Sequence, residues 1–159
     1  MRGFCYLALV LGMLLIPVER NDVGKLRPVE AISIYKDENE ITIETDTEDT
    51  GKGKTIEEAL KNLVDTTAGI IYIDTAEYLL VEAEELSILK QMSPYVKRSV
   101  KVCAMEGRIE PEEAAVYLQS HPINTTLKTA ERGKNLPVLA KEAGKLTISN
   151  SFKKDEKSA

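Results

Sequence analysis

The chain has 159 residues, of which 43% are hydrophobic and 30% charged, and its formal net charge is -5. This length accommodates one modest α/β domain behind an apolar N-terminal segment. The negative net charge and the pI near 5.1 disfavour nucleic acid as a partner, because phosphate backbones are bound by basic surfaces.

The chain begins with an uninterrupted apolar run from Gly3 to Val18, preceded by Arg2. A helix of about 16 residues spans about 24 Å, less than the roughly 30 Å hydrocarbon layer of a bilayer. Residues 1–20 are therefore predicted to be a signal peptide or a short membrane anchor, with a linker over 21–27. The charge ahead of the run predicts an exported or membrane-associated protein at the outer face of the cytoplasmic membrane.

Residues 28–122 are predicted to form an α/β domain, with α+β as the alternative, built on a mixed sheet with about three helices. Apolar residues in 28–35 and 41–45 predict two strands of a hairpin. From Ile56 to Val64, apolar residues recur at i, i+3, i+4, i+7 and i+8, which predicts the first helix. The apolar run at 69–74 predicts a strand covered on both faces, and 78–82 a shorter strand after it.

The second half of the domain continues with a helix over 86–95 and a strand over 99–105. A helix over 110–121 begins with Pro111 at its first turn and carries Glu112 and Glu113, which the helix dipole favours there. Residues 123–135 are polar and predicted to be irregular. The stretch LPVLAKEAGKLTIS predicts a hairpin, so 123–150 is a partial hairpin region, and 151–159 is predicted to be a disordered tail.

Cysteine and histidine are too few for a zinc cluster or a catalytic triad. Cys5 lies in the apolar leader and Cys103 in an apolar strand, so a disulfide between them is not expected. Cys103 is predicted to be a small core residue rather than a reactive thiol. His121 is the single histidine and is expected at a helix end or on the surface.

The segment TDTEDTGKGKTIEEAL allows three interpretations, of which the first is a nucleotide-binding P-loop. Gly53, Lys54 and Thr55 match the last three residues of that motif. Glu48, however, stands where the first glycine is required. Its side chain obstructs the wrapping of the loop around phosphate, and its charge repels the ligand.

The second interpretation is a calcium loop. Positions 1, 3, 5, 6 and 12 of the EF-hand template would be Asp46, Glu48, Thr50, Gly51 and Glu57. A strand enters this segment where the template needs a helix, and Lys52 and Lys54 would lie against the ion. Asp46, Glu48 and Glu57 are therefore weak metal candidates, and no cofactor is predicted.

The third interpretation needs only backbone chemistry. Thr55 is a helix N-cap, and Glu58, three residues later, completes a capping box. Gly51 and Gly53 let the chain turn sharply from strand to helix. Loss of such a cap costs about 1 kcal/mol, which accounts for the pattern without a ligand. No grouping of nucleophile and base is recognisable, so the chain is predicted not to be an enzyme.

Three stretches, VEAISIYKDENEITIETDT, GKGKTIEEALKNL and IIYIDTAEYLLVEAEE, resemble the N-terminal domain of the C subunits of bacterial spore germinant receptors, a family of lipoproteins. The residues at that family's glycine, cap and helix positions are Gly51, Gly53, Thr55, Glu58, Ala59 and Leu63. Leu79, Leu80, Val81 and Glu82 match the end of its following strand.

The resemblance covers roughly residues 28–121, and LPVLAKEAGKLTISNSF resembles the first hairpin of the family's middle domain. It implies a non-enzymatic interaction module in nutrient-triggered germination, whose partners are membrane or envelope proteins such as other receptor subunits. The resemblance implies no catalytic residue in this chain, because the matched motifs contain none. The lipid-attachment cysteine expected after the apolar run is missing, and most of the family's later domains are absent, so the resemblance implies a shortened, divergent relative. The alternative is a calcium-binding or nucleotide-binding regulator that uses the loop 46–57.

Overall fold

The structure is a computed structural model that describes residues 26–149 except 38, 84, 86 and 134. The predicted leader, most of the linker and the predicted tail lie outside the described residues. Within the described part of the chain, no helix is both long enough and apolar enough to span a bilayer.

Nine strands and four α-helices are present in the described residues. The strands are β1 Leu26–Pro28, β2 Ala31–Asp37, β3 Glu40–Thr45, β4 Thr50–Gly53, β5 Ile70–Tyr72, β6 Tyr78–Glu82, β7 Lys101–Glu106, β8 Val138–Glu142 and β9 Lys145–Ser149. The helices are α1 Ile56–Thr66, α2 Ile88–Met92, α3 Pro111–Ser120 and α4 Leu127–Ala130, and a 3-10 turn covers Ile73–Thr75.

Seven of the strands form one mixed sheet in the order β4-β3-β2-β6-β7-β8-β9. The neighbours from β2 to β8 pair in parallel, whereas β3, β4 and β9 pair with their neighbours antiparallel. The mixed sheet with helices confirms the predicted fold class.

Hydrophobic side chains fill both sides of this sheet, because successive residues of a strand point to opposite faces. On one side, Leu79 and Val81 of β6 join a core that includes α1, α2 and Leu127 of α4. On the other, Tyr78 and Leu80 join a core with α3. Parallel strands covered on both faces therefore read as continuous apolar runs.

The strand predicted at 69–74 is not covered on both faces, which corrects the prediction. Its three residues in β5 pair in parallel with β1, apart from the main sheet, and the side chain of Ile70 is 48% exposed. The central position belongs instead to β6, whose residues Tyr78 to Val81 are buried. Both stretches are short apolar runs, and the sequence of such a run does not predict which one forms the central strand of a sheet.

Two other details differ from the sequence-based expectation. Val64 belongs to the predicted apolar stripe of α1, yet it is 52% exposed, and the buried residues of that helix are Ile56, Ala59, Leu60 and Leu63. The segment predicted to be irregular after residue 123 contains α4, because Leu127 is fully buried and anchors one helical turn against the sheet.

The hairpin predicted near the C-terminus is β8–β9, closed by Ala143 and Gly144. Both closing residues have positive φ, 49° and 79°, as a two-residue hairpin turn of the primed type requires. Because β8 also pairs with β7, the hairpin extends the sheet of residues 28–122.

Cys103 lies on β7 and is completely buried, which confirms the prediction of a core residue. Burial raises the pKa of its thiol to about 12. Cys5 falls outside the described residues. His121 follows α3, exposed to solvent, and its ring stacks on Tyr117 at 4.2 Å between centroids.

Candidate functional site

The two glycines of the motif at 51–55 do not form a turn, which corrects the prediction. Gly51 and Gly53 both belong to strand β4, and α1 packs directly on them. A Cβ atom on Gly51 would lie 2.2 Å from the carbonyl oxygen of Ala59, and one on Gly53 would lie 2.5 Å from the nitrogen of the same residue. These positions exclude a side chain because the helix backbone already occupies the space.

Thr55 is the N-cap of α1, as predicted, and its hydroxyl accepts a hydrogen bond from the backbone N–H of Glu58 at 3.2 Å. The reciprocal bond differs from a standard capping box. The Glu58 carboxylate accepts from the N–H of Lys54 at 2.9 Å, one residue before the cap. The backbone N–H of Lys52 donates to Asn62 Oδ1, also at 2.9 Å. Amides that a P-loop would offer to phosphate are therefore bonded to side chains of α1.

The three weak metal candidates are not brought together. Asp46 Oδ1 accepts from the backbone N–H groups of Glu30 and Ala31, at 3.0 and 3.2 Å, and so fastens the β3–β4 turn to the start of β2. Glu48 is exposed in that turn with φ 63°, and Glu57 is exposed in the first turn of α1. Among the described residues, no group of three or more acids, cysteines or histidines could hold a metal ion.

Partial burial raises the pKa of Asp46, and the hydrogen bonds from Ala31 and Glu30 oppose this shift without cancelling it. A neighbouring negative charge, Glu30, acts in the same direction as burial. The Asp46 carboxylate therefore stabilises the turn by accepting two hydrogen bonds, whereas burial and the charge of Glu30 destabilise its ionised form.

The edge of the sheet at β4 is closed by α1. Asn62 bonds to the N–H of Lys52, and the Thr66 hydroxyl donates to the carbonyl of Thr50 at 3.4 Å. Both backbone groups belong to the outermost strand at this end of the sheet. Side chains of the following helix thus occupy the positions at which another strand would pair.

The opposite edge, at β9, is open: in the part of the chain that the structure describes, no strand lies beyond it. Glu142 and Lys145 close the hairpin, so they form a hydrogen-bonded pair, and the pairs alternate from there. Leu146 and Ile148 consequently direct their backbone N–H and C=O groups outward. The side-chain hydrogen bond that β9 does make, from the Thr147 hydroxyl to Ala140 O at 3.5 Å, is directed inward to β8.

A groove accompanies this open edge on the side of α3. One cavity of about 320 Å³ lies between α3 and Leu146, and its wall includes Val116, whose side chain is 62% exposed. A second cavity of about 660 Å³ lies at the C-terminal end of α3 and reaches Ile148. Ser120 and His121 line both cavities, so the two are adjacent. We call the two cavities and the outer edge of β9 the edge groove.

The sequence predicted the hairpin that carries the edge groove but not the groove itself. Leu146 and Ile148 alternate with polar residues, which signals a strand with one packed face. Val116 lies on the predicted helix without any sign that it would be exposed. The groove depends on β9 being the last strand of the sheet, which is a property of the tertiary structure.

No protein-family model, no curated protein and no solved structure matches the chain significantly.

Proposed function

We propose that the chain is a non-enzymatic interaction module of the bacterial envelope that binds an extended segment of a partner protein at the edge groove. The partner segment would add a strand to β9. Its alternate side chains would then point toward α3 and enter the cavities beside Val116 and Leu146.

The observation that supports this proposal is the open edge of β9 beside an exposed apolar surface. Unpaired strand edges are usually blocked in soluble proteins, because they invite pairing with other chains. Here one edge is blocked and the other is accompanied by two cavities. Main-chain hydrogen bonds to Leu146 and Ile148 would supply affinity, and the cavities would select side chains.

The resemblance to germinant receptor C subunits supports the envelope setting of this proposal. It suggests that the partner is another membrane or envelope protein, such as a receptor subunit. The apolar run that precedes the domain is consistent with attachment to, or export across, the cytoplasmic membrane.

Strand addition can be tested with a displayed library of random 12-residue peptides selected on the purified domain. We expect the selected peptides to alternate apolar and polar residues. Calorimetry should give their affinities, and hydrogen exchange followed by NMR should show new protection at the amides of Leu146 and Ile148.

Two variants at Ile148 separate strand pairing from side-chain packing. Ile148→Pro removes the outward N–H without removing a bond to β8, and should abolish peptide binding. Ile148→Ala keeps the N–H and loses side-chain contacts, so it should retain most of the binding. Selected peptides that protect amides elsewhere, or that bind Ile148→Pro as well as the original chain, would contradict the proposal.

The envelope location is tested separately by fusing alkaline phosphatase, which is active only outside the cytoplasm, to the C-terminus. We expect activity from the full chain and none after deletion of residues 1–20. Equal activity with and without the leader, or none from either, would remove the export proposal and leave the peptide experiment unaffected.

A further inference from the structure

A second feature, independent of the edge groove, is a buried glutamate on the other half of the sheet. Ile41 and Ile43 of β3 point into the core beneath α1, so Thr42 and Glu44 point to the opposite face. On that face α3 packs against β2 and β3. The side chain of Glu44 is nevertheless only 9% exposed.

Only one of the two oxygens of the Glu44 carboxylate has a hydrogen-bond donor among the described residues. Its Oε1 accepts a hydrogen bond from the guanidinium of Arg108, whose own side chain is 68% exposed. Its Oε2 is buried and has no hydrogen-bond partner among the described residues. A buried carboxylate oxygen without a donor opposes folding, so a hydrogen-bond donor that reaches this oxygen would stabilise the folded chain.

The loop that carries Arg108 is held in place beside Glu44 by Tyr35. The Tyr35 hydroxyl donates to Ile109 O at 2.5 Å and accepts from Ile109 N at 3.1 Å, which holds the loop that carries Arg108. The Arg108 guanidinium carbon lies 5.5 Å from the centroid of the Tyr35 ring. Burial raises the pKa of Tyr35, so its hydroxyl stays protonated and the clamp persists at neutral pH.

Two cavities, of about 310 and 290 Å³, meet at Glu44, Thr50 and Arg108. The second is lined by five acids and one base, namely Glu44, Asp46, Glu48, Glu110, Glu112 and Arg108. Although the N-terminus of α3 and Arg108 would each attract an anion, five carboxylates around the same space oppose one. The charge balance favours a cation.

We propose that this site, the Glu44 pocket, binds one organic cationic group, a primary ammonium or a guanidinium, that donates a hydrogen bond to Glu44 Oε2. The group could belong to a free polyamine or to a lysine or arginine side chain of a peptide, and both present the same donor. A bare metal ion fits less well, since the described residues offer no cluster of three acidic, cysteine or histidine ligands.

Calorimetry of the purified domain with four probes distinguishes the two sources. Cadaverine and agmatine represent free amines, whereas acetyl-glycyl-lysyl-glycine amide and its arginine counterpart represent side chains. The glutamine counterpart of these peptides is the neutral control and should not bind. Binding of the amines alone indicates a small-molecule site, and binding of the peptides indicates a protein partner.

The substitution that tests the assigned oxygen is Glu44→Gln, which preserves shape and removes the charge. We expect binding to weaken by about tenfold or more, because a charge-assisted hydrogen bond is lost in a buried position. The matched control is Glu40→Gln, on the same strand and with the same change in net charge, but half-exposed outside the pocket. It should change affinity by less than about twofold, because exposed charges are screened.

If Glu44→Gln fails to fold, cation binding at Glu44 can still be tested on the original chain. With glutamate labelled at the side-chain carboxyl carbon, a bound cation should shift the Glu44 resonance more than those of Glu110 and Glu112. Failure of all four probes to bind at about 10 mM, a limit that corresponds to very weak affinity, would overturn the proposal. So would equal binding by Glu44→Gln and Glu40→Gln, or a shift confined to other glutamates.

Discussion

The two edges of the main sheet differ in how their outer backbone groups are used. At β4, Asn62 and Thr66 of α1 bond to the outer N–H of Lys52 and the outer C=O of Thr50. At β9, the outer groups of Leu146 and Ile148 have no strand beyond them in the described part of the chain, and the two cavities lie beside this edge. The closed edge at β4 shows that this fold can block a strand edge with helix side chains. The open edge at β9 is therefore a candidate site for binding a partner strand.

Sequence separation explains how the closed edge is built. Only Lys54 and Thr55 separate β4 from α1, so the helix must return across the strand it has just left. Gly51 and Gly53 then allow the helix backbone to approach so closely that Asn62 and the helix's last residue, Thr66, reach the outer edge. The same close approach leaves no room for a ligand in the segment that resembles a P-loop.

The largest expected effect comes from separating α1 from β4. In Gly51→Ala the new Cβ would meet Ala59 O at 2.2 Å and Leu63 Cβ at 2.5 Å, both of which are held by the helix. We expect the free energy of unfolding, measured by urea denaturation, to fall by about 2 kcal/mol or more. The matched control is Ser149→Ala on the exposed edge strand, which should stay within about 0.5 kcal/mol of the original chain.

An intermediate effect should follow from opening the closed edge without disturbing the core. The double variant Asn62→Ala, Thr66→Ala removes the two side chains that bond to β4. We expect a loss of about 1–2 kcal/mol and faster hydrogen exchange of the Lys52 amide. Lys61→Ala, exposed on the same helix, should alter neither quantity. If the Lys52 amide exchanges at an unchanged rate, α1 is not what closes this edge.

A smaller effect, visible as a pH dependence, is expected at Asp46, which fastens the turn before β4. Because folding raises its pKa, the contribution of Asp46 to stability is largest below its unfolded pKa of about 4 and declines as the pH rises through the folded value. Asp46→Asn keeps an acceptor for Glu30 N and Ala31 N and does not titrate. The stability of Asp46→Asn relative to the original chain should therefore increase from pH 3 to pH 7, roughly the window set by that pKa.

The smallest expected response is that of Cys103, which lies on β7 in the interior of the sheet, between the two edges. Its thiol is completely buried and its pKa is about 12. In a Cys5→Ser variant, an aromatic disulfide reagent at pH 8 should modify Cys103 only as fast as the protein unfolds. Rapid modification of the folded protein would show that the centre of the sheet opens locally.

The sequence predicted most of the secondary structure because periodic apolar patterns arise from local geometry. The stripe of Ile56, Ala59, Leu60 and Leu63, the Thr55 cap and the β8–β9 hairpin are all formed. The assignment of the central strand failed, because burial on two faces depends on which neighbours a strand meets. The same limit applies to α4, where one buried leucine stabilises a turn that local propensity does not predict.

The burial and the neighbours of the candidate site residues could not be predicted from the sequence and became apparent only in the fold. Glu44 is buried because its strand position faces α3 and the loop of Arg108. No spacing rule links Glu44 to Arg108, since 64 residues separate them. Likewise, Val116 and Leu146 become neighbours only when β9 takes its place beside α3.

The sequence alone determined the local features of this protein: the amphipathic helix, its cap and the hairpins. These follow from interactions between residues a few positions apart, which any fold must accommodate. The tertiary structure alone decided the order of the strands, which edge is closed and which carboxylate oxygen lacks a donor among the described residues. Those properties depend on contacts between distant residues, and they exist only after the sheet has assembled.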